Sequence, residues 1–187
     1  MTKYIPTDIR FLVIDDENMP EDLDQKIRSI LAECFPNNAD HYSKIRHWHS
    51  RPAWVAAGIA PDGAVAAHCA MVEREVEING RERVTVAGVQ GFSVRPPWRG
   101  TGLSGCLMER ALAEARKRGI GAGLLFCLPR LEKLYGRMGW LTVRGPVIMR
   151  DDAGKSEPLP EKNMAMYISL GGKSFPEGTI DLRGPDW

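Results

Sequence analysis

The sequence predicts an α/β protein of the α+β type, in which helices flank a mixed central sheet with an antiparallel N-terminal half. Three observations predict this class. Two long strand-like segments, residues 64–77 and 84–94, are separated by Asn79-Gly80, the dipeptide most typical of a tight hairpin. Residues 103–118 have their apolar side chains at helical spacing. Residues 120–128 then have the apolar composition of a strand buried on both faces.

The segments before the hairpin are predicted from local patterns. Residues 10–15 are apolar enough for a first strand, and residues 23–35 form an amphipathic helix that ends at Pro36-Asn37-Asn38. Residues 39–52 contain His41, His47 and His49 and are predicted as a loop or a short helix, and residues 54–60 as a strand. This order differs from that of a doubly wound dinucleotide-binding fold.

The C-terminal part is predicted in the same way. We expect a helix over residues 131–138 that ends at Gly139, a strand over 140–143, a polar loop over 151–162 and an alternating strand over 164–170. Residues 175–187 contain two prolines and two glycines and are predicted as an irregular tail.

Composition limits the kind of protein this is. A length of 187 residues suits a single domain over residues 1–187, and 43% hydrophobic residues are enough for a core. The net charge of +1 gives no electrostatic reason to expect nucleic acid or an anionic membrane as a partner. The four cysteines lack metal-ligand spacing, so we expect no metal. No apolar run has the length of a signal peptide or a bilayer span, which predicts a cytoplasmic location.

A glycine turn precedes the helix over residues 103–118. Gly100 and Gly102 let the backbone turn sharply and come close to a ligand, and Arg99 adds a cation beside them. The first helical turn has no acidic residue, so its exposed N–H groups favour an anion, above all phosphate. An ordinary strand–helix turn is the alternative. The segment lacks the third glycine of a Rossmann motif and the Lys-Ser/Thr of a P-loop.

The turn and a second segment together resemble a known family. Val94 to Leu103 (VRPPWRGTGL) and Leu134 to Trp140 (LYGRMGW) are similar to two signatures of the GNAT superfamily of N-acetyltransferases. The similarity covers about residues 54–143 and departs from the usual pattern at Pro97. It implies the GNAT fold, with acetyl-CoA (coenzyme A) as cofactor. The residues it implies for cofactor binding are Phe92, Ser93, Val94, Arg99, Gly100, Thr101, Gly102, Leu103 and Ser104.

Two subfamilies are more similar still. Residues 62–68, the turn, residues 135–146 and the ending Asp186-Trp187 resemble aminoglycoside 2'-N-acetyltransferases. Trp48, residues 65–68 and residues 178–180 resemble nodulation protein A, an N-acyltransferase of chitooligosaccharides. Both acylate an amine of an amino sugar. The first resemblance implies acetylation of an aminoglycoside at the 2' amine, with antibiotic resistance; the second implies an acyl carrier protein as donor.

Acyl transfer from a thioester to an amine needs a base, an oxyanion donor and an acid. Tyr135 is the predicted acid, because an ordinary tyrosine hydroxyl is protonated at neutral pH. Related tails fold back into the site, so the resemblance favours the terminal carboxylate of Trp187 as base, with Asp186 next. The alternative is a frayed terminus.

The acceptor is expected to contact a further set of residues. Gln90-Gly91 occupies the place of a Glu-Gly pair in the aminoglycoside enzymes, and a polycationic sugar needs carboxylates. The predicted substrate-binding residues are Gln90, Gly91, Asp181, Asp186 and Glu161.

Several interpretations stay open at this level. A buried core residue is the alternative to a base at His68, and a packed aromatic is the alternative to an acid at Tyr135. A non-catalytic coenzyme A-binding domain, or an acetyltransferase of proteins or small amines, is the alternative function. Members of the superfamily are often dimers, so a homodimer is the expectation by analogy.

Overall fold

The computed structural model describes residues 8–151, 153–172 and 174–187, and these form two compact units. Unit one consists of the described residues up to Met71 together with Gln90–Glu114, and unit two consists of Val72–Val89 and the described residues from Ala115 to Trp187. Two strands and one helix begin in one unit and end in the other. The prediction of a single domain over residues 1–187 therefore stays a prediction.

Unit one contains an antiparallel sheet and two of the helices. Its complete elements are β1 (Arg10–Asp15), α1 (Glu21–Cys34), α2 (Ala39–Tyr42) and β2 (Trp54–Ile59). β2 pairs with β1 on one side and with β3 (Val65–Ile78) on the other, antiparallel in both cases. The apolar face of α1 packs on β2, with Ile27, Ile30 and Leu31 fully buried. This is the amphipathic helix that the sequence predicts, and it ends before Pro36 as expected.

Unit two contains the mixed part of the sheet. Its strands lie in the order β6-β9-β5-β4-β3-β10-β7-β8. β4 and β5 are parallel, joined through α3, and β5 and β9 are antiparallel. The bounds of the elements not yet given are β4 (Glu82–Val94), α3 (Leu103–Lys117), β5 (Ala122–Cys127), α4 (Glu132–Gly136), β6 (Leu141–Thr142), β7 (Val147–Arg150), β8 (Ser156–Pro158), β9 (Met164–Ser169) and β10 (Ile180–Asp181).

The core of unit two includes the end of the chain. Val86, Leu124 and Ile180 are buried beside Phe175 and Trp187. The tail after residue 174 therefore belongs to the packed interior of this unit and is not a frayed terminus.

The fold class predicted from the sequence is confirmed: the sheet is mixed, its N-terminal half is antiparallel and helices flank it. Two local predictions are wrong. The polar loop over residues 151–162 contains β8, and β7 directly before it was not predicted; Asp152 of this loop lies outside the described residues. The irregular tail contains β10, which pairs with β3 and β7. These strands have two to four residues, too few for a periodic pattern to identify them.

Asn79 has a second role beyond the hairpin turn. Its side chain donates from Nδ2 to the carbonyl of Glu177 (3.0 Å), and its Oδ1 accepts from the N–H of Thr179 (3.0 Å). Its backbone N–H also donates to the carbonyl of Thr179 at 2.9 Å. The backbone at Asn79 is left-handed, with φ at 53°, a conformation that asparagine and glycine adopt more readily than other residues. The hairpin turn therefore holds the tail.

Asn79→Gly should lower the free energy of unfolding by about 1–2 kcal/mol, because two hydrogen bonds are lost and the turn conformation is retained. Asn79→Asp keeps the acceptor for Thr179 and loses the donor to Glu177. Its free energy of unfolding should therefore lie between those of wild type and Asn79→Gly. Urea unfolding of the three proteins measures the difference. Equal stabilities would show that the side chain does not hold the tail.

Candidate active site

The glycine turn of unit one has the geometry that an anion needs. Gly100 and Gly102 have φ values of 79° and 87°, which favour glycine, and α3 begins at the next residue, Leu103. No atom lies within 4 Å of where a side chain at Gly100 would begin, so the backbone there is accessible. The first turn of α3 has no acidic residue, whereas Arg116 and Lys117 lie in the last turn of the helix. Because no carboxylate neutralises the N–H groups at the start of α3, the helix dipole favours an anion there.

Side chains around the turn fix its shape. The exposed Arg99 donates from Nε to the carbonyl of Val94 (2.9 Å), which keeps its guanidinium beside the end of β4. Thr101 donates from Oγ1 to the carbonyl of Trp98 (2.8 Å). Its hydroxyl proton is therefore used within the turn, and only its oxygen lone pairs and backbone N–H remain for a ligand.

The strand that enters the turn is anchored at its end and has one unpaired hydroxyl. Arg95 donates from its backbone N–H to Ala66 (2.9 Å) and from Nε to Val65 (2.8 Å), and it forms an ion pair with Glu33. Ser93 is buried, and Ser93 Oγ has no hydrogen-bond partner among the described residues. A buried hydroxyl without a partner is costly, because its desolvation is not offset by a hydrogen bond. The accessible turn can bind an anion such as phosphate, and cofactor binding by the strand residues Phe92, Ser93 and Val94 stays a prediction.

His68 is a buried, neutral histidine. Its Nδ1 lies 2.8 Å from the carbonyl oxygen of Gly91, and because that oxygen can only accept, we assign the ring proton to Nδ1. Burial lowers the pKa of His68 from 6.5 to about 4, so the ring is uncharged at neutral pH. Nε2 is buried and has no partner among the described residues. The structure therefore places His68 in the core of unit one.

Gln90 fixes a loop of the same unit. Its Oε1 accepts from the N–H of Trp48 (3.0 Å), and its Nε2 donates to the carbonyl of Ser50 (3.0 Å). Only 4% of the residue is exposed. Both observed contacts hold the segment that contains Trp48, and substrate binding by Gln90 and Gly91 stays a prediction.

An ion-pair cluster that sequence reasoning missed holds the same loop. Asp16 is buried and accepts hydrogen bonds from Arg46 and, at 2.6 Å, from Arg51. Arg46 also bonds Asp24 on α1 at 3.0 Å. No pattern local to Asp16 indicates these arginines, which lie at least 30 residues further along the chain.

The histidines of residues 39–52 contact the backbone and aromatic rings. A ring nitrogen of His41 lies 2.8 Å from the carbonyl of His47, and the rings of His41 and Trp48 are 4.7 Å apart. Within the described ranges, no group of three or more His, Cys, Asp or Glu side chains is placed to hold a metal ion. A search of the same ranges finds no helix with the length and hydropathy needed to cross a bilayer.

Tyr135 lies on α4 in unit two. It is buried to 6% exposure, and its ring meets that of Trp140 edge to face at 6.3 Å. Its carbonyl accepts from the N–H groups of Met138 and Trp140, which closes the turn after the helix. A second bond, from Thr142 Oγ1 to Glu132 Oε1 (2.9 Å), joins α4 to β6. Tyr135 is thus packed against Trp140 and lies where a hydrogen-bonded turn closes α4.

Trp187 is docked into unit two. A Cβ atom on Gly88 would lie 2.2 Å from Trp187 Cε2, so the indole fits only because residue 88 has no side chain. Phe126 packs against the indole with ring centroids 5.0 Å apart. Arg74 lies over its ring at 5.0 Å and donates to the carbonyl of Pro185 at 2.5 Å. Burial lowers the pKa of Arg74, and the charge of Asp186 acts in the opposite direction.

Arg74 lies between Glu73 and Glu75 on β3, and the tail covers it. No pattern local to β3 reveals this contact.

The predicted carboxylates of unit two are in different surroundings. Asp181 forms an ion pair with Arg150 at 2.7 Å and also accepts from the N–H of Arg183. Its charge is thus already balanced within the protein. Glu161 lies exposed in a turn. Substrate binding by Asp181, Asp186 and Glu161 stays a prediction.

Gly88→Ala should displace the indole of Trp187 and lower stability by about 1–3 kcal/mol, because the new methyl group occupies the position of the ring. Hydrogen exchange of residues 180–187 should become faster. Gly121→Ala is the matched control, since no atom lies within 4 Å of the added carbon there. Unchanged exchange in Gly88→Ala would contradict the docking.

His68 should make stability depend on pH. The pKa of His68 is lower in the folded protein than in the unfolded chain, so the unfolded chain binds the proton first as the pH falls. The free energy of unfolding that depends on His68 is therefore fully present above pH 6.5 and is lost between pH 6.5 and about 4. His68→Gln should remove about 3 kcal/mol of this dependence. Urea unfolding at pH 7.5 and 4.5 tests this, with the exposed His49→Gln as control. The same pH dependence in His68→Gln and wild type would contradict the assignment.

Comparison with proteins of known sequence identifies one family. The Acetyltransferase (GNAT) domain matches residues 18–143. An aminoglycoside 2'-N-acetyltransferase from Mycolicibacterium fortuitum is 27% identical over 152 residues, which are 79% of this chain and 74% of that protein.

Solved structures agree on the fold. A GNAT family N-acetyltransferase from Escherichia coli, solved in complex with CoA, superimposes with a TM-score of 0.63 at 18% identity, over 93% of this chain and 90% of the other. An acyl-CoA N-acyltransferase from Pseudomonas aeruginosa gives a TM-score of 0.59 at 16% identity, over 85% and 98% of the two chains. Because the GNAT domain covers well over half of its residues, the chain belongs to the GNAT family and is an acetyltransferase.

Proposed function

We propose that the protein transfers the acetyl group of acetyl-CoA to an amine of an amino sugar of the aminoglycoside class, at the 2' position, and that this confers antibiotic resistance. The similarity to the 2'-N-acetyltransferase of Mycolicibacterium fortuitum supports this acceptor class. The structural observation that carries the proposal is the docking of Trp187 on Gly88, which puts Asp186-Trp187 on the sheet of unit two rather than in solvent.

Enzymes of this family use acetyl-CoA, in agreement with the predicted cofactor. The cofactor supplies an activated acetyl thioester. The backbone N–H groups of Gly100 to Ser104 would hold its pyrophosphate, with the guanidinium of Arg99 beside them. Phe92, Ser93 and Val94 would align its amide arm through their backbone groups at the end of β4. The fit rests on the accessible backbone of the glycine turn.

Tyr135 is proposed as the general acid, which delivers its phenol proton to the departing sulfur. Its buried, edge-to-face position against Trp140 limits the directions in which the hydroxyl can point. A rigid donor contributes more than a mobile one, because no reorganisation is needed during the reaction.

The acceptor ammonium must lose a proton before attack. Gln90 cannot accept it as a base. The Asp186 carboxylate, which interacts electrostatically with Arg74, and the terminal carboxylate at Trp187 are the proposed bases. Homodimer formation and a cytoplasmic location remain predictions from the sequence.

The proposal predicts thiol release from acetyl-CoA with gentamicin-type aminoglycosides, which have a 2' amine, and mass spectrometry should locate the acetyl group there. Tyr135→Phe should lower kcat about 100-fold with little change in the KM for acetyl-CoA, because only the proton donor is lost.

Tyr42→Phe, another buried tyrosine, serves as the control and should keep full activity. No turnover with any aminoglycoside would contradict the proposed acceptor. Turnover with an acyl carrier protein as donor would instead favour the resemblance to nodulation protein A.

A further inference from the structure

The regular backbone of β4 is interrupted at Gly91. Gly91 has φ at 59°, whereas the extended residues of a strand have negative φ values. A left-handed glycine within a strand is typical of a bulge, which turns the backbone that follows it. A side chain would also be crowded here, because its Cβ would lie 3.2 Å from both His68 Cε1 and Leu31 Cδ2. Both the conformation and the space at this position therefore require glycine.

The carbonyl of Gly91 is turned out of the sheet. In a regular ladder a carbonyl points along the sheet, to the N–H of the next strand. The Gly91 carbonyl oxygen instead lies 2.8 Å from Nδ1 of His68, a side chain that stands on one face of the sheet. No peptide bond within the described ranges is cis, and in a trans peptide the N–H points opposite to the C=O. The N–H of Phe92 therefore points away from His68.

The two faces of the sheet in unit one are covered by different helices. His68 is paired with Ala57 of β2, and Ala57 belongs to the apolar cluster that contains the buried residues of α1. The next residue, Gly58, faces α3 instead, because a Cβ there would lie 3.6 Å from Leu103 Cδ1. His68 therefore lies on the face that α1 covers, and the N–H of Phe92 points toward the face of α3.

The glycine turn leads to this same face. Gly102 ends the turn, and Leu103, the first residue of α3, is fully buried on the α3 face of the sheet. The predicted anion site at the start of α3 and the N–H of Phe92 are therefore on the same side of β4. A pyrophosphate in the turn would leave its attached arm on the side to which this N–H points.

Histidine is a costly residue at position 68. None of its surface is exposed, and its Nε2 has no hydrogen-bond partner in the part of the chain that the structure describes. An apolar side chain would avoid the desolvation of both ring nitrogens. The hydrogen bond to the Gly91 carbonyl is the contact that an apolar residue could not form. This contact therefore distinguishes His68 from an ordinary core residue.

We infer that His68 is a positioning residue for coenzyme A. Its Nδ1–H holds the Gly91 carbonyl, and the trans peptide thereby aims the N–H of Phe92 at the amide-containing arm of the cofactor. The inference rests on the proposed alignment of this arm by Phe92, Ser93 and Val94. It assigns to His68 neither a proton transfer nor a contact with the acceptor.

His68→Leu tests the inference, because it removes the donor and keeps a side chain suited to the core. Calorimetry without any acceptor should show an affinity for CoA that is about fivefold lower than that of wild type. The affinity for adenosine 3'-phosphate 5'-diphosphate, which has the pyrophosphate and lacks the arm, should not change. An equal loss for both ligands, or no loss for either, would overturn the inference.

His68→Asn is the conservative variant, because its Nδ2 can take the place of the histidine Nδ1 and donate to the Gly91 carbonyl. Its affinity for CoA should lie within about twofold of that of wild type. Binding as weak as that of His68→Leu would contradict the role of this hydrogen bond. Ile27→Val, at a fully buried position of α1 in the same core, is the matched control. It should lower the free energy of unfolding and leave both affinities unchanged.

The wild-type protein provides a second test that needs no variant. Hydrogen exchange of the Phe92 amide should become at least about threefold slower with CoA and stay unchanged with adenosine 3'-phosphate 5'-diphosphate. Nitrogen NMR should find the ring proton of His68 on Nδ1. Unchanged exchange with CoA, or an unprotonated Nδ1, would refute the positioning role. No acceptor is present in these measurements, so absence of turnover with amino sugars contradicts the proposed function alone.

Discussion

The close approach of the Trp187 indole to the backbone of β4 is the constraint on which unit two depends. The ring occupies the position that a side chain at residue 88 would take. Gly88 contributes no side chain to the core. The Trp187 indole fills this space from a distant segment and buries a large apolar area there. Phe175, Ile180, Leu182 and Trp187 thereby become part of the core. β7 and β8 join the rest of the sheet through the tail, because β10 is the strand between β3 and β7.

Two side chains hold the tail in the register that this packing requires. Asn79 binds it before β10, through the carbonyl of Glu177 and the N–H of Thr179, and Arg74 binds it after β10, through the carbonyl of Pro185 and the face of Trp187. Both residues belong to the hairpin formed by β3 and β4. The partial burial of Arg74 is tolerated because its guanidinium faces a carbonyl, an aromatic ring and the charge of Asp186.

Elements formed by interactions between residues close in sequence were predicted, whereas elements formed by distant partners were not. The amphipathic helices, the hairpin and the strands of six or more residues have a local period, and the sequence predicted them within a few residues. The short strands β7, β8 and β10 exist because distant strands offer pairing partners, so no local pattern identifies them. The same limit applies to the site. The glycine turn was predicted from adjacent residues, whereas the roles of Asp16, Asn79 and Arg74 depend on partners at least 30 residues away.

Ion pairs within unit two bear on the proposed recognition of a cationic acceptor. A polycationic sugar is attracted by carboxylates, but several carboxylates of unit two are paired with arginines of the same unit: Asp181 with Arg150, and Glu75 with Arg83 and Arg183. Pairing reduces their attraction for a ligand cation, and exposed pairs are further screened by salt. Within unit two, paired carboxylates would therefore contribute less to the binding of the proposed cationic acceptor than unpaired carboxylates would.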